Sequence, residues 1–432
     1  MNGDTQPETG VYLDYNATTP MAHEVRIAVS NAMETAWGNP SSAHKAGVAA
    51  RQIIETARKS VSQMIYAKPS EIIFTSGGTE SNNMTIHSAI QHSKEMSHNL
   101  TGDRCPHIIT SNIEHDSVML PLKNWQRKGQ LELTIVPVSK STGSIVAEDV
   151  ISHILPNTCL VTVMLANNET GIIQPIEEIG RLLRKENAKR KSAGLAEVLF
   201  HTDAAQALGK IDVNVSSLCV DYLTIVGHKV PPLTLLFSFY GPRIGALYFR
   251  DSKPLYPMFF GGGQERGYRP GTENVCMIAG LGCAAELITK NIEEYRSTMK
   301  TTRDYLEKKL QEATRVTFNH HKGAHVLPNT CSVAFRGLNG HEILSQVRIQ
   351  ASTGAACHNS MKPSLTLLCS GVPEENARGT LRLTTGRETS FADIDWAIRE
   401  IQAAVEKLSR MKGHCAVASY STSEEHILLS SK

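Results

Sequence analysis

Cys357 and Lys229 are the two side chains of this sequence best suited to chemistry. Cys357 follows Gly354-Ala355-Ala356 and precedes His358-Asn359, so it lies in a segment of small and polar residues and not in an apolar core stripe. A partly exposed thiol in such a segment can act as a nucleophile. The segment alone also allows another interpretation, a free cysteine that is buried as a small hydrophobic residue.

Lys229 follows an apolar stretch, residues 220–226, that is typical of a buried strand. Strands predicted earlier in the chain also end in polar residues, namely Thr79, His115, Asn168 and Asp203. Strands that alternate with helices predict a mostly parallel sheet, which gathers functional groups where its strands end. A single polar residue at the end of a strand usually caps the following helix. Polar residues at the ends of several successive strands instead predict a functional site along this edge of the sheet.

A lysine beside a histidine, with an aspartate on the neighbouring strand, is the arrangement that pyridoxal phosphate requires. Lys229 would bind the cofactor covalently, and His228 precedes it. Asp203 would keep the pyridine nitrogen protonated, so that the ring accepts electrons from the substrate. These residue types therefore predict pyridoxal 5'-phosphate as the cofactor.

The remaining groups of this edge suit the rest of that cofactor. A helix starts near Thr79, after the two glycines Gly77 and Gly78, and a glycine-rich helix start suits a phosphate group. The same stretch also suits a plain threonine cap in a tight turn. We expect His115 to stack on the ring, and we expect two amides, Gln206 and Asn168, to hydrogen-bond to its edge.

The composition of the whole chain is that of an ordinary globular protein. Its 432 residues are 41% hydrophobic and 20% charged, and the formal net charge of +2 argues against nucleic acid or a membrane surface as the main partner. The nine cysteines have no spacing typical of a metal site or a disulfide framework, which indicates a reducing compartment. The first ten residues lack a targeting pattern, and no apolar run is long enough to cross a bilayer, so we expect a cytosolic protein.

Ten motifs resemble, in order, those of the class V, fold-type I pyridoxal-phosphate enzymes, a family that includes cysteine desulfurases and selenocysteine lyases. They span residues 11–407 and read LDYNATTP, GNPSS, TSGGTESNN, EHDS, NNETG, HTDAAQ, GHK, RPGTEN, GAAC and LRLTTGR. The resemblance implies an α/β fold with a large domain, built on a mostly parallel sheet of the seven-stranded type, and a smaller α+β domain.

We expect four regions along the chain. They are an N-terminal segment that packs with the small domain (1–20), the large cofactor-binding domain (21–280), the small domain with the Cys357 loop (281–412), and a polar, disordered tail (413–432).

For the cofactor, the resemblance implies roles that agree with the residue chemistry. Lys229 carries the cofactor, and Asp203 pairs with its ring nitrogen. Thr79 and His228 bind its phosphate.

For the substrate, the resemblance implies that Arg382 and Asn168 hold the carboxylate. Cys357 attacks the sulfur or selenium atom of the bound substrate. The rest of the substrate becomes alanine, and the sulfur or selenium atom stays on Cys357. Arg269 and Thr272 lie at the interface of a homodimer, near the phosphate of the partner subunit. No metal takes part in this scheme.

Within the family, residues 351–370 and the segments ETGII and HTDAAQALGK resemble the selenocysteine lyase branch. Desulfurases of iron–sulfur assembly have Ser-Ala-Cys-Thr-Ser where this chain has Ala-Ala-Cys-His-Asn. We therefore expect decomposition of L-selenocysteine to L-alanine and selenide, with a selenium-acceptor protein as a candidate partner. A cysteine desulfurase stays open as an alternative, because one pocket would hold both a selenol and a thiol.

Two stretches depart from the family pattern. Val226 stands where the family often has a serine, two residues before the His228-Lys229 pair. Residues 230–238, VPPLTLLFS, are inserted before an aromatic-Gly-Pro segment. This uncharged stretch with two prolines begins beside the cofactor lysine, so we hypothesise a splice or gene-model variant with weakened cofactor binding. A folded scaffold protein without the chemistry is the remaining alternative.

Overall fold

The computed structural model describes residues 10–100, 105–229, 243–320, 323–354 and 362–425. Its strands are β1 (Val11–Tyr12), β2 (Ile72–Thr75), β3 (His107–Ser111), β4 (Glu132–Val136), β5 (Thr158–Thr162), β6 (Leu199–Asp203), β7 (Tyr222–Val226), β8 (Gly245–Phe249), β9 (Thr317–Phe318), β10 (Thr330–Ala334), β11 (Ile349–Gln350) and β12 (Thr380–Thr384). Its α-helices are α1 (His23–Thr35), α2 (Lys45–Met64), α3 (Gly78–Leu100), α4 (Asp116–Arg127), α5 (Ala147–Ser152), α6 (Ile176–Ser192), α7 (Val215–Leu218), α8 (Val275–Ala313), α9 (Gly340–Leu344), α10 (Leu365–Cys369), α11 (Glu374–Arg378) and α12 (Phe391–Glu425).

The central sheet has seven strands in the order β2-β8-β7-β6-β5-β3-β4. The pairs from β7 through β6, β5 and β3 to β4 are all parallel. β8 is antiparallel to both of its neighbours, so it alone runs against the other strands. This topology confirms the predicted α/β, fold-type I architecture and brings the ends of β5, β6 and β7 to one edge.

Helices cover both faces of this sheet, which is why its middle strands are apolar along their whole length. Val161 of β5 and Phe200 of β6 face one hydrophobic core, in which α2 and α8 pack. Leu160 and Leu199, their neighbours in sequence, face a second core beneath α3 and α4. Burial of each such large side chain contributes about 1.5–3 kcal/mol, so the two cores hold the sheet rigid beneath the site.

α8 is the long helix that joins the two halves of the molecule. Length and composition alone would let it cross a membrane, but it packs in the core, and a Cβ on its Gly282 would lie 2.5 Å from Ala57 of α2. The helical geometry is interrupted at Asn291 (φ −130°, ψ 15°). The Asn291 side-chain amide donates to the Leu287 carbonyl at 2.9 Å.

A smaller antiparallel sheet, in the order β12-β10-β9, follows in the second half of the chain. The first described strand, β1, pairs in parallel with β11, and Thr384 of β12 donates its N–H to the Leu13 carbonyl at 2.8 Å. Val11 and Leu13 lie in the hydrophobic core of this smaller sheet, together with residues of β10, β12 and α12. The start of the chain is therefore built into strands that are formed by its end.

Two helices depart from the sequence analysis. α12 continues to Glu425, although a disordered tail was expected from Gly413. Residues 414–425 are rich in serine but contain no glycine or proline, so nothing in them ends the helix. The sequence analysis named no helix over residues 116–127, where the structure has α4, and this helix runs through Pro121.

Candidate active site

One cavity of about 270 Å³ lies where β5, β6 and β7 end. This volume is near the lower end of the range for small-molecule sites, roughly 300–1,000 Å³. The predicted residues that line it are Gly78, Thr79, His115, Asn168, Asp203, Gln206, His228, Lys229 and Arg382. The fold thus brings together residues that are separated by as much as 300 positions in the sequence, as a parallel sheet does at its functional edge.

His228 and Lys229 follow β7 in one turn of 3-10 helix, Gly227–Lys229. The His228 carbonyl accepts a hydrogen bond from the backbone N–H of Thr19 at 3.0 Å, which fixes the turn. Burial, together with the charges of Lys229 and Arg243, lowers the pKa of the His228 imidazole to about 4. His228 is therefore neutral near pH 7, so it can donate a hydrogen bond to an anion without adding charge.

Asp203 ends β6, beside β7, and its carboxylate is held from two sides. Oδ1 accepts from the backbone N–H of Ala205 at 2.9 Å, and Oδ2 accepts from the Asn82 amide at 2.9 Å. Asn82 itself accepts from the Thr224 hydroxyl at 2.7 Å and donates to Ser117 Oγ at 2.8 Å. Because Asn82 is bonded through both its oxygen and its nitrogen, it fixes the direction in which the Asp203 carboxylate faces the cavity.

His115 caps α4, and its Nδ1 accepts a hydrogen bond from the backbone N–H of Ser117 at 3.1 Å. The Ser117 hydroxyl also contacts Nδ1, at 2.8 Å. Since Nδ1 is an acceptor here, the ring proton of the neutral imidazole is on Nε2. Through Ser117, the His115 ring joins the same network as Asn82 and Asp203.

The glycines before α3 provide room for a ligand. A Cβ on Gly77 would meet no atom within 4 Å, whereas a Cβ on Gly78 would lie 2.4 Å from Val226 Cγ2. Val226, which replaces the serine of the family pattern, therefore packs directly on Gly78. The first N–H groups of α3 have no partner within the helix, which suits a phosphate group near Thr79.

These observations fit pyridoxal phosphate. The cavity has a primary amine at Lys229, a fixed carboxylate at Asp203, and a helix start with open space at Gly77. An amine, a carboxylate and an anion-binding helix end are the groups that this cofactor needs. When bound, it supplies an electron sink for bonds at the substrate Cα.

Arg382 lies in β12 and is only 1% exposed, yet it reaches the cavity. Its Nη1 donates to the Asn168 carbonyl at 3.1 Å, and its Nη2 donates to the Asp14 carboxylate at 2.5 Å. Ser352 Oγ donates to the second oxygen of Asp14 at 2.7 Å. The predicted carboxylate-binding guanidinium is thus in the cavity, and its charge is balanced by an aspartate that the sequence analysis did not name.

Several lining residues were missed. Asn16 and Ala17 belong to the motif LDYNATTP, and Ser117 belongs to EHDS, so the resemblance could have pointed to them. Ala205 belongs to HTDAAQ, and Val226 was named only as a departure from the family pattern. Met164 and Ala166, the other missed lining residues, carry no polar signal.

Two of the remaining predicted residues lie outside this cavity. Arg269 and Thr272 line a separate cavity, where Arg269 Nε donates to Glu80 Oε1 at 2.9 Å. Cys357 and the insertion at 230–238 lie outside the described residues. Their roles stay predictions.

Comparison with known proteins gives relatives that cover nearly the whole chain. The Aminotransferase class-V family model matches residues 11–396. A selenocysteine lyase from Xenopus tropicalis is 51% identical over 422 residues, which are 94% of this chain and 96% of the relative. The cysteine desulfurase IscS of Dictyoglomus turgidum is 37% identical over 403 residues, with 92% of this chain and 95% of that protein covered.

A solved structure of a NifS-like protein superposes with a TM-score of 0.80 at 30% identity, covering 92% of this chain and 99% of the other. The family match, the curated relatives and this superposition together show that the chain belongs to the class-V aminotransferase family of pyridoxal-phosphate-dependent enzymes.

Proposed function

We propose that this protein is a pyridoxal-phosphate-dependent selenocysteine lyase, which converts L-selenocysteine to L-alanine and reduced selenium. The observation that carries the proposal is that Lys229, Asp203 and Arg382 meet in one cavity of a chain that is 51% identical to a selenocysteine lyase. An amine, a carboxylate and a guanidinium are the groups needed to hold the cofactor and an amino-acid carboxylate.

In this proposal, the cofactor is held at three points. Lys229 binds it covalently, Asp203 pairs with the ring nitrogen, and the phosphate lies against the start of α3 and His228. The ring is covered by His115, and its edge meets the amides of two cavity residues, Gln206 and Asn168. The hydrogen bonds that fix Asp203 support this assignment, because a fixed carboxylate needs little reorganisation when charge develops on the ring.

The substrate carboxylate binds Arg382, which Asp14 orients from outside the cavity. The Cys357 thiolate attacks the selenium, so that a sulfur–selenium bond forms as the carbon–selenium bond breaks. The electron pair of the broken bond stays on the carbon, which takes up a proton to give alanine. A thiol reductant must then release the selenium from Cys357 as selenide.

The test is an absorbance spectrum of the purified protein with pyridoxal phosphate, before and after addition of selenocysteine, with alanine assayed in the same tube. We expect visible absorbance of the bound cofactor, and alanine release that is abolished in Cys357→Ala. Equal alanine release from this variant contradicts the role of Cys357. Cofactor absorbance without any alanine contradicts the lyase, and a protein that stays colourless shows that the insertion has disabled the site.

A cysteine desulfurase is the second candidate, favoured by the 37% identity to IscS over most of both chains. The cavity does not separate the two, since Arg382 and Lys229 meet parts that cysteine and selenocysteine share. The discriminating measurement is kcat/KM for alanine release from each amino acid. We expect selenocysteine to be preferred, and a higher value for cysteine would favour the desulfurase.

We also propose a cytosolic homodimer that passes selenium to an acceptor protein. Arg269 and Thr272 would meet the phosphate of the partner subunit, and both line a cavity apart from Lys229. Sedimentation gives the oligomeric state, and mixing Lys229→Ala with Arg269→Ala tests the shared site. A dimer predicts that the mixture regains activity that neither variant has alone, and a monomeric, fully active enzyme would contradict it.

A further inference from the structure

Lys210 is buried behind the cavity and has no carboxylate partner among the described residues. Its side chain is 1% exposed. Its Nζ donates to Asn16 Oδ1 at 2.6 Å and to Gln206 Oε1 at 2.9 Å. Asn16 and Gln206 line the cavity, whereas Lys210 does not.

The surroundings of Lys210 disfavour a charged amine. Burial lowers its pKa well below the ordinary value, and the nearby charges of Lys229 and Arg382 lower it further. A methionine or leucine of similar volume would avoid the cost of burying this group. A methionine or leucine could not make the two short hydrogen bonds of Lys210. We therefore look for the function of Lys210 in these two bonds.

An amine donor determines which way its amide neighbours point. Because Gln206 Oε1 faces Lys210, its nitrogen is turned away, and Nε2 donates to the Asn16 carbonyl at 3.0 Å. Asn16 is oriented in the same sense, since its Nδ2 donates to Thr330 Oγ1 at 3.0 Å. The oxygen and nitrogen of an amide have nearly the same size, so packing does not fix the orientation of the Gln206 amide. Without Lys210, only the hydrogen bond to the Asn16 carbonyl would hold that orientation.

We propose that Lys210 is a positioning residue that fixes the amide of Gln206, so that the cavity presents an N–H donor to an acceptor oxygen of the cofactor ring. This inference rests on the proposed function, because it takes Gln206 to contact the cofactor. A donor binds an electron-rich oxygen, whereas the amide oxygen in the same place repels it. Lys210 thus acts on the ligand through Gln206 and not by contact.

A double-mutant cycle tests this action through a second residue. The variants are Lys210→Met, Gln206→Leu and their combination, with Lys290→Met, an exposed lysine of α8, as the matched control. The readout is the dissociation constant of pyridoxal phosphate for each apoprotein. We expect Lys210→Met to raise it about tenfold in the wild-type chain and less than about twofold in Gln206→Leu, with no change in Lys290→Met.

A dissociation constant that is unchanged in Lys210→Met, or that rises equally in both backgrounds, overturns the inference. If Lys210→Met does not fold, Gln206→Glu provides the same test. Its carboxylate still accepts a hydrogen bond from Lys210 but can donate neither to the Asn16 carbonyl nor to the cofactor, so cofactor binding weakens by at least about tenfold.

A Gln206→Glu variant that binds the cofactor as tightly as the wild type also overturns the inference. None of these measurements uses turnover, so failure of the proposed function is seen separately, as a protein that binds pyridoxal phosphate but releases no alanine from selenocysteine.

Discussion

Asp14 holds the Arg382 guanidinium from the side that faces away from the cavity, with Oδ1 at 2.5 Å from Nη2. Arg382 lines the cavity, and Asp14 does not. Ser352 Oγ contacts both partners, at 2.7 Å from Asp14 and 3.2 Å from Arg382. A substrate carboxylate would therefore meet an arginine whose orientation is fixed in advance, which lowers the entropy cost of binding.

We expect Asp14→Asn to raise KM for selenocysteine about tenfold, equivalent to ~1.4 kcal/mol, because a charge-assisted hydrogen bond becomes a neutral one. Cofactor affinity should change less than about twofold, since Asp14 does not line the cavity. Steady-state kinetics of alanine release and a cofactor titration give both values. Asp251→Asn, at an exposed ion pair with Lys68, is the control. An unchanged KM would contradict the positioning role of Asp14.

A second buried ion pair supports the loop that carries Arg269. Arg58 Nη2 lies 2.7 Å from Glu265 Oε1, and the second carboxylate oxygen accepts from Arg58 Nη1 at 2.9 Å and from the Phe74 N–H at 2.8 Å. Glu265 has φ 47°, a left-handed backbone conformation that costs energy in a residue with a side chain. The bidentate pair therefore holds a strained turn in place.

We expect Glu265→Gln to lower the free energy of unfolding by up to about 3–5 kcal/mol, because the buried Arg58 loses its bidentate counterion and keeps only the exposed carboxylate of Glu55. Urea denaturation measures this change. Glu375→Gln, at an exposed pair with Arg336, should cost less than about 1 kcal/mol. The double variant Arg58→Met/Glu265→Leu should recover part of the loss, and a Glu265→Gln protein of wild-type stability would rule out this function of the pair.

The buried carboxyl group of Glu114 should give the folding stability an unusual dependence on pH. Its Oε1 accepts from the Ser111 hydroxyl at 2.5 Å and from the Met164 N–H at 3.0 Å. Burial, with a smaller contribution from the charge of Asp203, raises the pKa of this carboxyl group to about 8. The folded protein therefore binds this proton more tightly than the unfolded chain, in which the pKa is about 4.3.

The stabilising contribution of the Glu114 proton is complete below pH ~4.3 and is lost as the pH rises through about 8. We expect the urea midpoint of the wild type to fall between pH 5 and about 8.5 relative to that of Glu114→Gln, which has no proton to lose. Glu148→Gln, in the exposed first turn of α5, should follow the wild type. Parallel curves for the wild type and Glu114→Gln would contradict the assignment.

Deletion of residues 230–238 tests whether the insertion weakens the site. The deletion restores the short connection after Lys229, so we expect pyridoxal phosphate to bind at least about tenfold more tightly and alanine release to increase. A chain with nine glycine and serine residues in place of the insertion is the control for length. If the deletion leaves cofactor affinity unchanged or lowers it, the hypothesis of a weakened variant is wrong.

The strand ends could be predicted from the sequence because buried parallel strands have a strong local pattern. Lys229, Asp203 and Asn168 follow apolar runs, and the sheet then places them at one edge without further information. The helix break at Asn291 also has a local signal, a polar residue that interrupts an apolar stripe. α4, which contains Pro121, was not predicted, although its Val118 and Leu122 are buried in the core beneath the sheet.

The residues that support the site could not be predicted in this way. Lys210 meets Asn16 across 194 positions of sequence, and Asn82 meets Asp203 across 121. Periodicity assigns a residue to a face but does not say which amide a buried amine will contact. The pairing of Asp14 with Arg382 has the same origin, since it depends on how β1 is inserted beside β12.

Residues 11–16 pack beside β11 and β12, which are made much later during synthesis. The Asn16 N–H donates to the Thr384 hydroxyl, 368 residues later. At about 5–20 residues per second, residues 11–16 leave the ribosome roughly 20–70 s before their partners exist. During that time the apolar side chains of Val11 and Leu13 have no hydrophobic core to pack in, so chaperones or other apolar segments can bind them. The cavity that Asn16 and Arg382 line is completed only after β12 has been made, so the cofactor is captured by a chain that already contains this strand.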